Sequence, residues 1–320
     1  MNKKLLKNFC AVFLAGFMAL LLLPQSAQAQ EKEAYVVKSK DNKTLTFYYD
    51  DQKSSRTGTV WGIEETREEY GNTYPAWSGT RGTSESKVTT AVFDASFKNY
   101  LPQSTEIWFF NLKKLEKIEG LTNLNTSKVT TMSEMFGGCQ KLTSLDLSNF
   151  NTENVQDMNY MFYGCQNLTS LDLSNFKTEK VLDMHGMFED CPSLTSLNLS
   201  NFNTENVLDM HGMFSGCNSL QTIYCNNTWT CSRSWGMFSG CTSLQGAVPY
   251  NESKTDASMA NPETGYFTKK ESTGVATATT EANANIQAIY STDGKRLNEL
   301  QSGLNIVRMS NGTTQKILCK

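Results

Sequence analysis

Histidine is nearly missing from this chain, with two in 320 residues. There is also no Gly-x-Ser-x-Gly elbow, no His-Glu-x-x-His and no glycine-rich phosphate loop, so the usual bases, nucleophiles and phosphate cradles of enzymes are lacking. No enzyme activity, catalytic residue or cofactor is therefore expected. A cationic excess is lacking too. The chain has 29 Lys+Arg against 32 Asp+Glu, and loss of Lys3, Lys4 and Lys7 with the first 29 residues leaves 26 against 32. Nucleic acid, which needs clustered cations, is excluded as a partner. The CxxC pairs of structural zinc are absent, and nothing after residue 30 is apolar for the ~20 residues that span a bilayer. What remains is 39% hydrophobic residues and 19% charged ones, enough for a real core.

Residues 1–29 read as a secretory signal peptide: a cationic start, an apolar run from Phe9 to Leu23, Pro24, then the small-residue site Ala27-Gln28-Ala29. Cleavage is expected between Ala29 and Gln30, leaving a mature chain without a transmembrane segment, secreted or held at the cell surface.

The middle of the chain repeats itself. Met-Phe recurs at 135/136, 161/162, 187/188, 213/214 and 237/238, each pair followed three residues later by Cys139, Cys165, Cys191, Cys217 or Cys241. A weaker copy begins at Trp108-Phe109. Met132, Met135, Phe136 and Cys139 fall at i, i+3, i+4 and i+7, the spacing of one helix face. Thr131, Asp157, Asp183 and Asp209 stand where N-caps would, and Gly138, Gly164, Gly216 and Gly240 where C-caps would. After each cysteine the period becomes two, as at Leu145 and Leu147, predicting a short strand. Such units bury their apolar columns only against their neighbours. The fold expected is an α/β repeat: a leucine-rich-repeat solenoid, with a short parallel strand plus a short helix per coil.

Residues 126–250, with LTSLDLSNFNTENV and the DM-x-x-MF-x-GC block, closely resemble the BspA-type leucine-rich repeats of bacterial surface proteins. Asn261 to Phe267 looks like the edge that closes such arrays. Glu33 to Tyr100 resembles the aromatic, β-leaning segment that precedes the repeats in members from the Bacteroides and Prevotella group. The tail, with turn signals at Asp293-Gly294 and Asn311-Gly312, is similar to C-terminal modules of secreted Bacteroidetes proteins, some of them sorting signals. The resulting division is a signal peptide (1–29), a β-rich N-terminal cap (30–100), the repeat array with its C-terminal cap (101–269), a Ser/Thr/Ala-rich linker (270–285) and a small β module (286–320). The resemblance implies an adhesin-like binding protein at the outer surface of a Gram-negative bacterium. Its partner would be macromolecular, such as a host extracellular-matrix or plasma protein. The alternative is an exported glycan-binding or glycan-processing protein, using Trp61, Tyr70, Tyr74 and Trp77 to stack on sugar rings, with Glu64, Glu65, Glu68 and Glu69 on a solvated helix face or loop.

Asp146, Asp172, Asn198 and Tyr224 lie on the outward strand column and are the candidate partner-binding residues. The competing reading is a solvated strand face, because Tyr224 alone is a large anchor. His185 and His211 share a column. They could hold a metal ion, but Ser133 and Asn159 occupy the equivalent positions, and a solvent-facing first helical turn is the plainer account, so no metal is assigned. The five repeat cysteines are expected as a buried ladder. Cys225 and Cys231 are expected either in the core or as a local disulfide.

Overall fold

The computed structural model describes residues 31–85, 87–270, 286–298, 300–301, 303–309 and 313–319. The expected signal peptide, the Ala29–Gln30 cleavage site, most of the linker and the Asn311-Gly312 turn lie outside the described residues. Two compact units are separated between Thr268 and Lys269.

In the first unit, β1 (Glu33–Lys38), buried on both faces from Ala34 to Val37, pairs antiparallel with β2 (Thr44–Asp50), where buried Leu45 and Phe47 alternate with partly exposed residues. β3 (Thr59–Gly62) adds to the far side of β1. Beside β2 lie β6 (Thr90–Phe93) and then β7 (Lys117–Glu119), both parallel, giving the order β3-β1-β2-β6-β7. A separate hairpin joins β4 (Thr66–Glu69) to β5 (Asn72–Pro75), so Glu68 and Glu69 sit in a strand and on no helix face. Phe47 is the hub of this segment's core, stacked on Phe93 at 4.6 Å and packed against Trp77, Trp108 and Phe109. Trp108 and Phe109 belong to the first repeat, so this apolar cluster continues into the repeats.

The expected α/β solenoid is contradicted: among the described residues there is no α-helix, and regular structure is almost all strand. Each Met-x-x-Met-Phe-x-x-Cys segment is instead a pair of tight turns. Met135 N–H donates to Met132 O and Cys139 N–H to Phe136 O, with Glu134 at φ 51° and Gly138 at φ 73° as the third residue of each turn. A bond from i+3 to i with positive φ at i+2 is the geometry of a type II turn. The same columns hold Tyr160 (φ 50°), Gly186 (φ 57°), Gly212 (φ 60°) and Gly236 (φ 66°), then Gly164, Asp190, Gly216 and Gly240, all left-handed. A right-handed helix cannot pass through a left-handed residue every fourth position. Amides not used inside the turns reach the next repeat. Met132, Glu134, Phe136 and Gly138 donate to the carbonyls of Asp157, Asn159, Met161 and Tyr163, at 2.6–2.9 Å. Parallel bridges run from Ser104 through Thr131, Asp157, Asp183 and Asp209 to Arg233.

The strand half of the unit is also sparser than expected. β7 holds this column in the weaker first copy, and among the five Met-Phe units only β8 (Ser196–Asn198) and β9 (Thr222–Tyr224) form, with β10 (Phe267–Thr268) parallel to β9. Residues 143–148 and 169–174 form no strand. There the carboxylates of Asp146 and Asp172 accept the amides of Ser148 and Ser174, a local alternative to a ladder.

The inward columns are as dry as the repeat arithmetic requires. The first and second Met columns, and the Phe and Cys columns, are fully buried from Met132 to Cys241. Phe109, Phe136, Phe162, Phe188, Phe214 and Phe238 stack at 5.5–5.7 Å between ring centroids. The seven cysteines from Cys139 to Cys241 are free thiols, so Cys225 and Cys231 form no disulfide.

The second unit is an antiparallel sheet in the order β12-β11-β13-β14, from β11 (Ile286–Tyr290), β12 (Arg296–Leu297), β13 (Gly303–Met309) and β14 (Thr314–Cys319). The Asp293-Gly294 turn joins β11 to β12, with Gly294 at φ 84°.

Candidate binding faces of the repeat stack

The stack presents one face on its strand side and another on its turn side. On the strand side the structure puts Asp146 and Asp172 exposed, Asn198 half-buried and Tyr224 exposed. Asn198 and Tyr224 are register partners in adjacent strands. The hydroxyl and then the amide of Ser148 hold the Asp146 carboxyl below the ordinary aspartate range. Asn198 Oδ1 accepts both the amide (3.3 Å) and the hydroxyl (2.9 Å) of Ser200, so part of its polar capacity is spent locally. Behind this face, Asn149, Asn175 and Asn201 each donate to carbonyls of the preceding repeat, for example Asn175 Nδ2 to Phe150 O at 2.7 Å. These amides brace the corner between repeats and are turned inward from any ligand.

The turn side is built on the column Ser133, Asn159, His185, His211, Trp235. Asp183 and Asp209 act here as Asx-turn acceptors and not as helix caps: His185 N and His211 N donate to their Oδ1 atoms at 2.9 and 3.0 Å. Each imidazole also gives its Nδ1 hydrogen to the same carboxylate, at 2.7 and 2.8 Å. The rings of His185 and His211 stack at 4.6 Å, and Trp235 stacks on His211 at 4.6 Å. Tyr160 meets the edge of His185 at 4.5 Å, filling space over Gly186, where a Cβ would come within 2.2 Å of its ring. The result is a continuous aromatic run, Tyr160-His185-His211-Trp235, across four repeats. Sequence reasoning found the two histidines but missed Trp235. The signal was present: counted back from each Met-Phe pair, Trp235 occupies the same position as His211.

Carboxylates crowd this face. Burial raises the pKa of Glu134 despite its 2.7 Å ion pair with Arg81, and burial with the nearby Asp183 charge raises that of Asp157. Asp209 is opposite in behaviour. Burial works against its charge, but the His211 amide and ring and the Arg233 guanidinium, 2.8 Å away, together lower its pKa. Burial likewise disfavours a charged His185, yet the Asp183 hydrogen bond and the charges of Asp183, Asp209 and Asp157 outweigh it and raise its pKa. His185, Asp209 and His211 bring potential ligand atoms within 4.8 Å of one another.

Of the N-terminal rings that were candidates for stacking on sugars, Tyr74 and Trp77 are core residues at 2% exposure, with Trp77 Nε1 donating to Trp108 O at 3.0 Å. Tyr70 is exposed and Trp61 is packed against the core cluster.

These observations define a protein of stacked, turn-built repeats. The family described as "Mycoplasma protein of unknown function, DUF285" matches residues 103–229 and 171–269, which covers half of the chain, and the chain belongs to that family. The match agrees with the resemblance to BspA-like repeats. Among solved structures, a leucine rich cell surface protein from Faecalibacterium prausnitzii A2-165 matches at 16% identity over 67% of this chain, with a TM-score of 0.23. This chain spans about half (52%) of that protein's length. No curated protein matches.

Proposed function

We propose that this is a secreted or cell-surface binding protein, adhesin-like and not an enzyme, whose repeat stack is held out to a macromolecular partner. The observation that carries the reading is the unbroken amide ladder from Ser104 to Arg233, which fixes outward side chains of successive repeats in register on a dry, rigid core. A surface preorganised in this way loses little conformational freedom on binding. The similarity to a protein titled a cell surface protein and the BspA-like resemblance support the location, and the resemblance supplies host matrix and plasma proteins as the partner class. The test is capture from immobilised matrix proteins, plasma proteins and polysaccharides by the purified chain. Specific, saturable capture of a protein supports the reading. Capture of polysaccharide alone favours the glycan alternative, and capture of nothing removes adhesion as the function. Combined Asp146→Ala, Asp172→Ala and Tyr224→Ala substitutions then report whether the strand side makes the contact.

A further inference from the structure

The outward residues change character along the stack. In the column just before the Asp column, Thr130 and Gln156 give way to Leu182 and Leu208, which are 43% and 64% exposed. The Leu208 amide donates to Leu182 O at 2.8 Å, so the two leucines stand in adjacent rungs. Two residues on from the Asp column, buried Ser133 and half-buried Asn159 give way to half-buried His185 and His211 and finally to Trp235, which is 70% exposed. Folding gains little from a large ring left in water, and a cluster of such groups on an otherwise polar repeat marks a contact surface. Trp235 is also held: stacking on His211 fixes the indole, so a partner meets an ordered ring and spends little entropy on ordering it.

The charges around these groups choose the partner. Glu106, Glu134, Asp157, Asp183, Glu189 and Asp209 form one electrostatically connected set on the turn side. Against them stand two guanidiniums, Arg81 on Glu134 and Arg233 on Asp209, and two imidazoles, His185 on Asp183 and His211 on Asp209. With the imidazoles neutral, the carboxylates outnumber the cations and this side of the stack is acidic. An anionic or neutral ligand gains nothing from it, whereas a guanidinium gains twice, from the carboxylates and from the face of an exposed indole.

We propose that the turn side around Leu182, Leu208 and Trp235 is the docking surface, and that it receives an arginine- or lysine-rich segment of a partner protein. This deepens the binding-protein reading and rests on it. The occupant is a basic peptide because the apolar groups are too exposed and spread over too many repeats for a single ion. The competing occupant is a transition-metal ion on the histidine pair. The Nδ1 bonds leave both Nε2 atoms free, but the rings are nearly parallel, 11° apart with centroids at 4.6 Å, so their in-plane lone pairs converge on one ion only if the rings turn out of the stack.

The test is fluorescence polarisation of the full chain with a dye-labelled peptide of alternating Arg and Ser, alongside its Glu/Ser counterpart. The Arg peptide is expected to bind, more weakly as salt rises, and the Glu peptide to fail. Trp235→Ala, which removes an exposed ring and is expected to leave the melting temperature unchanged, should weaken binding about tenfold, and Tyr224→Ala on the other side should not. Failure of the Arg peptide to bind, or equal binding by Trp235→Ala, overturns the proposal. So does zinc binding that is abolished by His185→Gln and His211→Gln and that blocks the peptide while Trp235→Ala does not. The two readings fail separately: protein capture that survives Trp235→Ala but is lost in Tyr224→Ala removes this surface and leaves the binding function standing. Peptide binding in a chain that captures no macromolecule removes the function and keeps the surface.

Discussion

At each repeat cysteine the thiol hydrogen goes to the carbonyl of the phenylalanine in the preceding repeat: Cys165 Sγ to Phe136 O at 3.2 Å, Cys191 to Phe162 O at 3.0 Å, Cys217 to Phe188 O at 3.0 Å. A buried apolar side chain would fill the space but leave that second lone pair unmet. Cys165→Ala should therefore cost ~1–2 kcal/mol in urea unfolding, from a small cavity plus a lost bond. Burial pushes the Cys165 and Cys217 thiols up to about 12, so thiol reagents should leave this ladder untouched in the native state and modify half-buried Cys231 first among the seven cysteines from Cys139 to Cys241. His185 yields a pH prediction with a definite sign. Its folded-state pKa is raised above the unfolded one, so its stabilising contribution is complete below the unfolded value near 6.5 and fades as pH rises through the folded value. The stability gap between wild type and His185→Gln should be widest at acid pH and close in mild alkali. A gap that grows with pH would contradict the Asp183–His185 geometry.

The turns explain where the sequence was readable and where it misled. Burial of Met132, Met135, Phe136 and Cys139 follows from the spacing alone, since both a helix face and tandem four-residue turns put i, i+3, i+4 and i+7 on one side. The turn corners thus imitate a helix for two periods. Deciding between them needed the third column: Gly186, Gly212 and Gly236 are poor helix-interior residues but natural left-handed ones. That signal was weak because Glu134 and Tyr160 accept the same strained conformation in the first two full repeats. On the strand side the alternating leucines were legible, yet at Asp146 and Asp172 the carboxylate takes the serine amide two residues on and no strand forms, whereas Asn198 makes the same local bond and still pairs with Tyr224. Far-UV circular dichroism should lack the double minimum of α-helix. Gly164→Ala, at φ 64° with the added methyl in ordinary van der Waals contact with Gly138 (3.7 Å to its Cα), should cost ~1 kcal/mol of backbone strain, and Asp190→Gly, relieving a left-handed aspartate, should stabilise by ~0.5–1 kcal/mol in thermal or chemical unfolding.

For the molecule as a whole, the ends of the stack differ from its middle. At the start, Trp108 and Phe109 are covered by Phe47, Phe93, Phe97 and Trp77; at the finish Phe238 meets Tyr266 and Phe267 edge-on. A terminal coil left open would expose its phenylalanine, so the caps are part of the folding unit. Trp77→Ala, emptying the N-terminal cap, should lose ~3–5 kcal/mol, more than any single exposed-face substitution. From Phe136 to Phe214 the repeat step is a constant 26 residues and the junctions are alike. Excising residues 153–178 joins Thr152 to Glu179 with each remaining column still meeting its equivalent. The shortened chain should fold cooperatively, with lower stability and a smaller denaturant slope than the parent.

That sameness of junctions has a hereditary side. A gene whose segments encode interchangeable rungs can gain or lose one by unequal crossing-over without spoiling either end, so copy number becomes a heritable trait that sets the length of the stack. Trp235, on the rung next to the C-terminal cap, moves farther from or nearer to the N-terminal cap with each such change while its immediate neighbours stay the same.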